Sequence, residues 1–319
     1  SRSSAASDVY KRQVLRRTDM RTWPSEETAY KNRETIDLDR FQENGLFPGD
    51  AVAILHESRD GDWYFARSYN YAAWVRKAHI APTARETAVG FGKTEPFLVV
   101  TGGKVATNFN PRCPALSELQ LDMGVRVPLA DRPTNANDVD GQNPYTGHVV
   151  RMPVRAPSGE ADFHTALVAR SQDVRLGYLP YTRENVLRQG FKFLGERYGW
   201  GHSYNARDCS GLVTDIYRSM GVLLPRKTLQ QVESPMGQTR RFTRDDDRQA
   251  RLRALAHLEP GDLIYSPGHV MIYVGQDNGR PYVLHDTSSR IRLEVDGGGS
   301  YEGILNGESI TPFISVMDE

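Results

Sequence analysis

Cys209 stands in Asp208-Cys209-Ser210-Gly211, at the head of an apolar stripe, Leu212, Val213, Ile216, Tyr217 and Met220, that follows helical spacing. The stripe places the cysteine in the first turn of a helix. Backbone N–H groups there lack intrahelical partners, and the helix dipole sets partial positive charge beside the sulfur. Both effects favour thiolate over thiol, the form a nucleophile needs. On this motif alone the plainer reading is an N-cap at Asp208 and a small core residue at Cys209.

Two histidines farther along change the balance. His269 precedes the apolar strand Val270–Val274, His285 ends the strand Tyr282–Leu284, and Gln276-Asp277-Asn278-Gly279 between them is a turn signal. A hairpin pivoting about Asp277 pairs Ile272 with Tyr282 and sets His269 opposite His285 on one face, with Cβ atoms about 4.5–5.5 Å apart. One imidazole would then be a general base toward Cys209 while the other holds its tautomer and orientation. A slip of one residue would send the rings to opposite faces. With no carboxylate beside them and no close ligand spacing the pair makes a poor zinc site, so neither a metal nor another cofactor is expected. The other six histidines (His56, His79, His148, His164, His202 and His257) read as ordinary surface or core residues.

The elements that carry these residues come late in a chain of 319 residues, long enough for two or three domains. The 40 basic residues cancel the 40 acidic ones, so no charge surplus points to nucleic acid or an anionic membrane. Hydrophobic residues at 39% and charged ones at 25% describe a soluble globular chain. Its apolar runs, such as Phe97–Val100, fall far short of the ~20 residues that cross a bilayer. Two cysteines, Cys113 and Cys209, exclude a disulfide scaffold, and their unlike contexts give no reason to pair them.

Four segments are expected. Residues 1–17 are rich in Ser, Ala and Arg and lack an apolar signal-peptide core, so they read as a tail or foreign start outside the fold. Residues 18–86 hold short strands between turns such as Phe47-Pro48-Gly49-Asp50 and Ser58-Arg59-Asp60-Gly61, the texture of a small all-β barrel. Residues 87–181 repeat that texture around a polar loop, 131–147. From 182 the pattern turns helical, with Thr182 as N-cap and Gly221 at the end of the second stripe, and then returns to strands: an α+β domain over 182–319.

Ordered motifs in this last segment resemble the NlpC-type cell-wall cysteine peptidases. They are Arg197-Tyr198-Gly199-Trp200-Gly201, Arg207-Asp208-Cys209-Ser210-Gly211, Leu224-Pro225-Arg226-Lys227-Thr228, and Pro260-Gly261-Asp262-Leu263-Ile264-Tyr265 followed by Gly268-His269-Val270. Upstream, Asp60-Gly61-Asp62-Trp63-Tyr64, Gly141-Gln142-Asn143-Pro144-Tyr145 and Gly177-Tyr178-Leu179-Pro180-Tyr181-Thr182 resemble the subgroup with two bacterial SH3-like domains before the peptidase. The resemblance implies a papain-like core and hydrolysis of the γ-D-glutamyl–L-diamino acid bond of peptidoglycan stem peptides, in turnover or recycling of the wall. It assigns Cys209 as nucleophile, His269 as base and His285 as the orienting residue, and places the Tyr198 hydroxyl near the sulfur. It implies that Asp208, Ser210 and Thr228 receive the free amine of an N-terminal L-Ala, a group with three donors and no acceptor. The first SH3-like domain would lend an aromatic residue, Tyr71 or next Tyr69. One departure stands out: many relatives have Trp-Gly-Gly where this chain has Trp200-Gly201-His202.

The expected partner is therefore a peptidoglycan-derived peptide, not nucleic acid, handled by a monomer in the cell envelope or periplasm, although no targeting signal is visible. The alternatives are a non-catalytic peptidoglycan-binding protein and a thiol acyltransferase on a related scaffold. The first would fit a lost nucleophile or base, and both residues are present.

Overall fold

The computed structural model describes residues 11–131, 138–243, 245–295 and 299–313. Residues 1–10 and the middle of the polar loop, 132–137, lie outside these. The first region is a seven-stranded antiparallel sheet. Its spatial order is Gln42–Leu46, Thr18–Arg21, Ala72–Arg76, Trp63–Arg67, Ala51–Glu57, Lys11–Val14 and Ile80–Pro82. Val14, Met20, Leu46, Val52, Ala66, Val75 and Ile80 fill its core. The turn after Leu46 is tied by Asp50, whose amide donates to the Phe47 carbonyl and whose side chain accepts from the Phe47 amide. Gly49 adopts φ 89° there, and a Cβ would lie 2.7 Å from the Phe91 ring, so only glycine fits.

Residues 11–17, expected to be a tail, belong to this fold. Lys11–Val14 pairs with both Ala51–Glu57 and Ile80–Pro82, and Arg17 donates to the His202 carbonyl at 2.8 Å. With Val14 as its one aliphatic residue, Lys-Arg-Gln-Val shows no apolar alternation. Its strand is created by two waiting sheet edges rather than by its own pattern.

The second region starts with the helix Arg85–Phe91. It continues with a three-stranded sheet (Arg126–Pro128, Phe97–Val100, Val174–Leu176) and the hairpin Gly147–Arg155/Ala161–Ala169. Leu98, Val100, Leu116, Leu121, Val127, Val150 and Met152 are its core, and Cys113 packs unpaired at the margin.

The third region sets helices against a four-stranded antiparallel sheet, Leu263–Ser266, His269–Asp277, Arg280–Thr287 and Gly307–Pro312 in that order. Thr182 caps the helix Arg183–Gly190 by accepting from the Asn185 amide. The helix Cys209–Arg218 packs Leu212, Val213 and Ile216 against Val270, Ile272 and Leu284. The opposite face of the sheet, Met271, Tyr273 and Val283, is covered by Leu255 of the helix Arg248–Leu255 and by Phe313.

Buried charge docks the three regions. Arg207 donates to Asp215 (2.7 Å), Glu196 (2.9 Å) and, across to the second region, Asp122 (3.2 Å). Arg17 of the first region reaches the same Asp122, and Arg218 pairs with Asp50. Removing one member of such a set leaves a buried charge uncompensated, at a cost of about 3–5 kcal/mol. No helix among the described residues is long and apolar enough to cross a membrane.

Candidate active site

Asp208 is the N-cap of the helix that begins at Cys209, and its Oδ1 accepts from the Gly211 amide at 2.8 Å. Its Oδ2 accepts from the Gly201 amide (3.0 Å) and from Arg226 (2.7 Å). Burial alone would raise this carboxyl, but the charge and hydrogen bond of Arg226 outweigh it and hold it at about 2. Arg226 also donates to Ser210 Oγ (2.7 Å) and to Asn44 Oδ1 (2.6 Å) in the first region. One buried guanidinium thus joins the first sheet to the start of the Cys209 helix, a role the motif did not disclose.

Cys209 is 7% exposed. Burial and then Asp208 push its thiol up, while the Val270 amide, Arg226 and the Ser210 amide pull the other way; the net value is about 11. The helix start was expected to favour thiolate. The adjacent carboxylate and the loss of solvent win, so the resting sulfur is protonated. The Val270 amide that faces the thiol belongs to the residue after His269.

The histidine pair is built differently from the simple hairpin. The turn is Asn278-Gly279, both with positive φ, closing on Asp277 and Arg280, and a bulge follows between Tyr273 and Gly275. Ile272 consequently pairs with Leu284 rather than Tyr282. His269 is therefore diagonal to His285, not directly opposite. The displacement is two residues at that end, so the rings keep a common face. His269 Nε2 lies 2.9 Å from His285 Nδ1, and His285 Nε2 lies 3.0 Å from Thr311 Oγ1. Burial lowers His269 to about 4, and burial with the charge of His269 lowers His285 to about 3, so both are neutral at pH 7. Nδ1 of His269 is the ring nitrogen left for the thiol. No hydrogen bond joins the two in the resting site among the described residues; such contacts often tighten only when substrate binds.

Tyr198 is buried, and burial, then Asp208 and Cys209, raise its phenol. Tyr71 donates its hydroxyl to Glu43, a residue the sequence did not single out. Its phenol is raised by burial and by Glu43, and it also feels Arg226 and Asp208, which brings it to the helix-start cluster. Lys227 Nζ lies 5.3 Å from the centre of its ring. Tyr69 instead faces Arg218, 6.0 Å away, and is 46% exposed. Thr228 is half-buried and opens the helix Thr228–Glu233 without capping it, since Lys227 holds the N-cap position.

His202 is not an ordinary core histidine. It follows Gly201 in the left-handed region (φ 66°) and is 2% exposed, wedged between Gly45 of the first region and Gly211 of the Cys209 helix. Its ring meets Phe47 edge-on, and its Nδ1 lies 3.3 Å from Arg226. Gly211 leaves room for it: a Cβ there would lie 2.6 Å from His202 Cε1. The side chain that replaces glycine fills the domain junction and contacts the guanidinium that holds Asp208.

Behind Tyr198, Asp286 and Glu308 face each other across adjacent strands, both buried. Burial first, then neighbouring carboxylates, raise each to about 9. The folded state therefore keeps protons that the unfolded chain, with carboxyls near their usual values, releases. This contribution to stability is full below about pH 4 and is lost as pH rises through about 9. The melting temperature should fall across that range, and Asp286→Asn should flatten the slope. Thermal unfolding at several pH values reads this, and equal slopes would contradict it.

Comparisons with known proteins bear on the family and the fold. Residues 28–76 match the SH3 domain (SH3b1 type), and residues 195–302 match the NlpC/P60 family. Dipeptidyl-peptidase 6 of Lysinibacillus sphaericus is 32% identical over 237 residues, covering 72% of this chain and 75% of that protein. The bifunctional muramidase/DL-endopeptidase CwlT of Bacillus subtilis (strain 168) is 31% identical over 114 residues, 33% of this chain and 30% of its own length. The solved NlpC/P60 endopeptidase of Photobacterium damselae subsp. piscicida superposes with a TM-score of 0.74 at 17% identity, covering 98% of this chain and 68% of that one. An NlpC/P60 family protein of Bacillus cereus ATCC 10987 gives 0.64 at 18%, covering 95% and 94%. These two likenesses bear on the fold. The chain belongs to the NlpC/P60 family: it is a multidomain cysteine peptidase of the peptidoglycan-hydrolase class, with an SH3b region before an α+β catalytic domain.

Proposed function

We propose that this protein hydrolyses the γ-D-glutamyl–L-diamino acid bond of peptidoglycan stem peptides that carry a free N-terminal L-Ala. The observation that carries the reading is the polar chain at His269: its Nε2 is engaged by His285 Nδ1, which leaves Nδ1 for Cys209, a residue at a helix start that shares one core with Val270, the next residue after His269. Because the thiol rests protonated and the imidazole neutral, attack and proton transfer occur together. His269 Nδ1 takes the Sγ proton as sulfur adds to the γ-carbonyl of D-Glu. The oxyanion is met by N–H groups of the first helical turn, and the imidazolium returns the proton to the leaving amine of the diamino acid. Water, deprotonated by the same nitrogen, then cleaves the L-Ala-γ-D-Glu thioester. His285 orients His269.

Recognition of the amine is assigned to the Asp208–Ser210–Thr228 side of the helix start together with Tyr71, and Glu43 adds a carboxylate held by the Tyr71 hydroxyl. Both oxygens of Asp208 are already engaged, so Glu43 supplies charge that Asp208 shares with Arg226. The dipeptidyl-peptidase relative supports a substrate bound by its amino terminus. Residues 18–86 and 87–181 are read as two SH3-like domains, the first forming one wall of the site. The protein is read as a monomer acting at the cell envelope.

The test is mass spectrometry of products from L-Ala-γ-D-Glu-L-diamino acid. Release of L-Ala-γ-D-Glu and free diamino acid is expected. Cleavage at the L-Ala–D-Glu bond, or no cleavage, would overturn the reading.

A further inference from the structure

The histidine chain does not end at the second imidazole. Thr311 lies on the strand Gly307–Pro312, opposite Val283 and diagonal to His285, and its Oγ1 stands 3.0 Å from His285 Nε2. His285 and Thr311 are both buried, 3% and 2% exposed, so bulk solvent does not reach this contact. The consequence lies in the tautomers. For His269 to accept a proton at Nδ1, its own proton must sit on Nε2 and be donated to His285 Nδ1. His285 must then carry its proton on Nε2, and that N–H needs an acceptor. In the opposite tautomer His285 would donate from Nδ1, His269 would be driven to carry its proton on Nδ1, and the base would be lost. A neutral imidazole has no intrinsic reason to choose, because it offers one donor and one acceptor either way.

Resting on the functional reading above, we propose that Thr311 is a positioning residue whose hydroxyl accepts the Nε2 proton of His285 in the tautomer pair that leaves His269 Nδ1 basic, and so spares that pair a buried N–H without a partner. The chain runs Thr311 Oγ1, His285 Nε2–H, His285 Nδ1, His269 Nε2–H, His269 Nδ1, with every proton directed away from the sulfur. Thr311 touches neither substrate nor the reacting atoms.

The experiment compares Thr311→Val, which keeps the shape and removes the oxygen, with Thr311→Ser, which keeps the oxygen, in the full chain. The valine variant is expected to lose at least about tenfold in kcat, with KM within about twofold, because part of the population holds the wrong tautomer. Serine should restore kcat to within about threefold. A change that only loosened packing would affect both variants alike. Independently of activity, 15N long-range correlation spectra of histidine-labelled protein should show His285 as the Nε2–H tautomer in the wild type and a shift toward Nδ1–H in Thr311→Val. Thermal unfolding confirms that each variant is folded. Wild-type kcat in a folded Thr311→Val, or His285 as Nδ1–H in the unsubstituted protein, would overturn the proposal. The spectra decide it even if the tripeptide proves not to be the substrate.

Discussion

Replacing Cys209 with Ala should lower kcat for the tripeptide by at least about 10⁴-fold, and His269→Ala should cost nearly as much. The size follows from the role proposed for each side chain. Without Sγ no covalent intermediate forms, and the cleft can only position water. Without His269 the sulfur keeps its proton, because burial and Asp208 hold the thiol at about 11. In a site whose resting thiol was already ionised, loss of the base would be felt mainly at the leaving amine. Here it is felt at attack as well. The double variant should be little worse than either single one, since the two groups act as a unit. Cys209→Ala removes one sulfur from a helix whose packing rests on Leu212, Val213 and Ile216, so the fold should persist. Steady-state kinetics with thermal unfolding of each variant checks this, and a Cys209→Ala protein with more than about 1% of wild-type kcat would contradict it.

Acetylation of the substrate's L-Ala nitrogen should lower kcat/KM by about 10²–10³-fold. An ammonium brings three donors and a charge to the site proposed for it at Glu43, Asp208 and the neighbouring hydroxyls; an acetamide brings one donor, no charge and extra bulk. A site built to pair with a polar group rejects an analogue that leaves its own buried groups unpaired far more strongly than it rejects a missing methylene. Glu43→Gln should narrow the preference from the enzyme's side by slowing the free-amine peptide more than the acetylated one. The measurement is kcat/KM for both peptides with both proteins. Equal values for the two peptides with the wild type would remove amine recognition from the account while leaving the nucleophile untouched.

The parts of the site that depend on local rules were legible in the sequence. A cap, an apolar stripe and a following glycine define the helix at Cys209, and strand texture with a turn signal defines the hairpin. The hairpin's exact pairing was not legible. Asn278-Gly279 rather than Asp277 forms the turn, and the bulge before Gly275 shifts the ladder again. The shared face of the histidines survived because the two adjustments together moved the partner by an even number of residues. Long-range partners left no local trace: Arg226 to Asn44, Tyr71 to Glu43, His285 to Thr311 and the Lys11–Val14 strand all join segments distant in the chain. His202 was visible as a departure, yet glycine-like backbone with a buried imidazole can be understood only once Gly211 and Gly45, where a Cβ would lie 3.1 Å from His202 Cβ, are seen to make room. At the thiol the helix start favours ionisation, and burial with the capping carboxylate of Asp208 outweighs it.

The claim on which the account turns is that sulfur is acylated by the γ-carbonyl of D-Glu. Rapid acid quench of the enzyme during turnover, followed by mass spectrometry of the peptide containing Cys209, tests it directly. A mass increase equal to an L-Ala-γ-D-Glu acyl group is expected on Cys209, absent in Cys209→Ala and accumulating when hydrolysis is slowed. Turnover with the acyl group on another residue would contradict it.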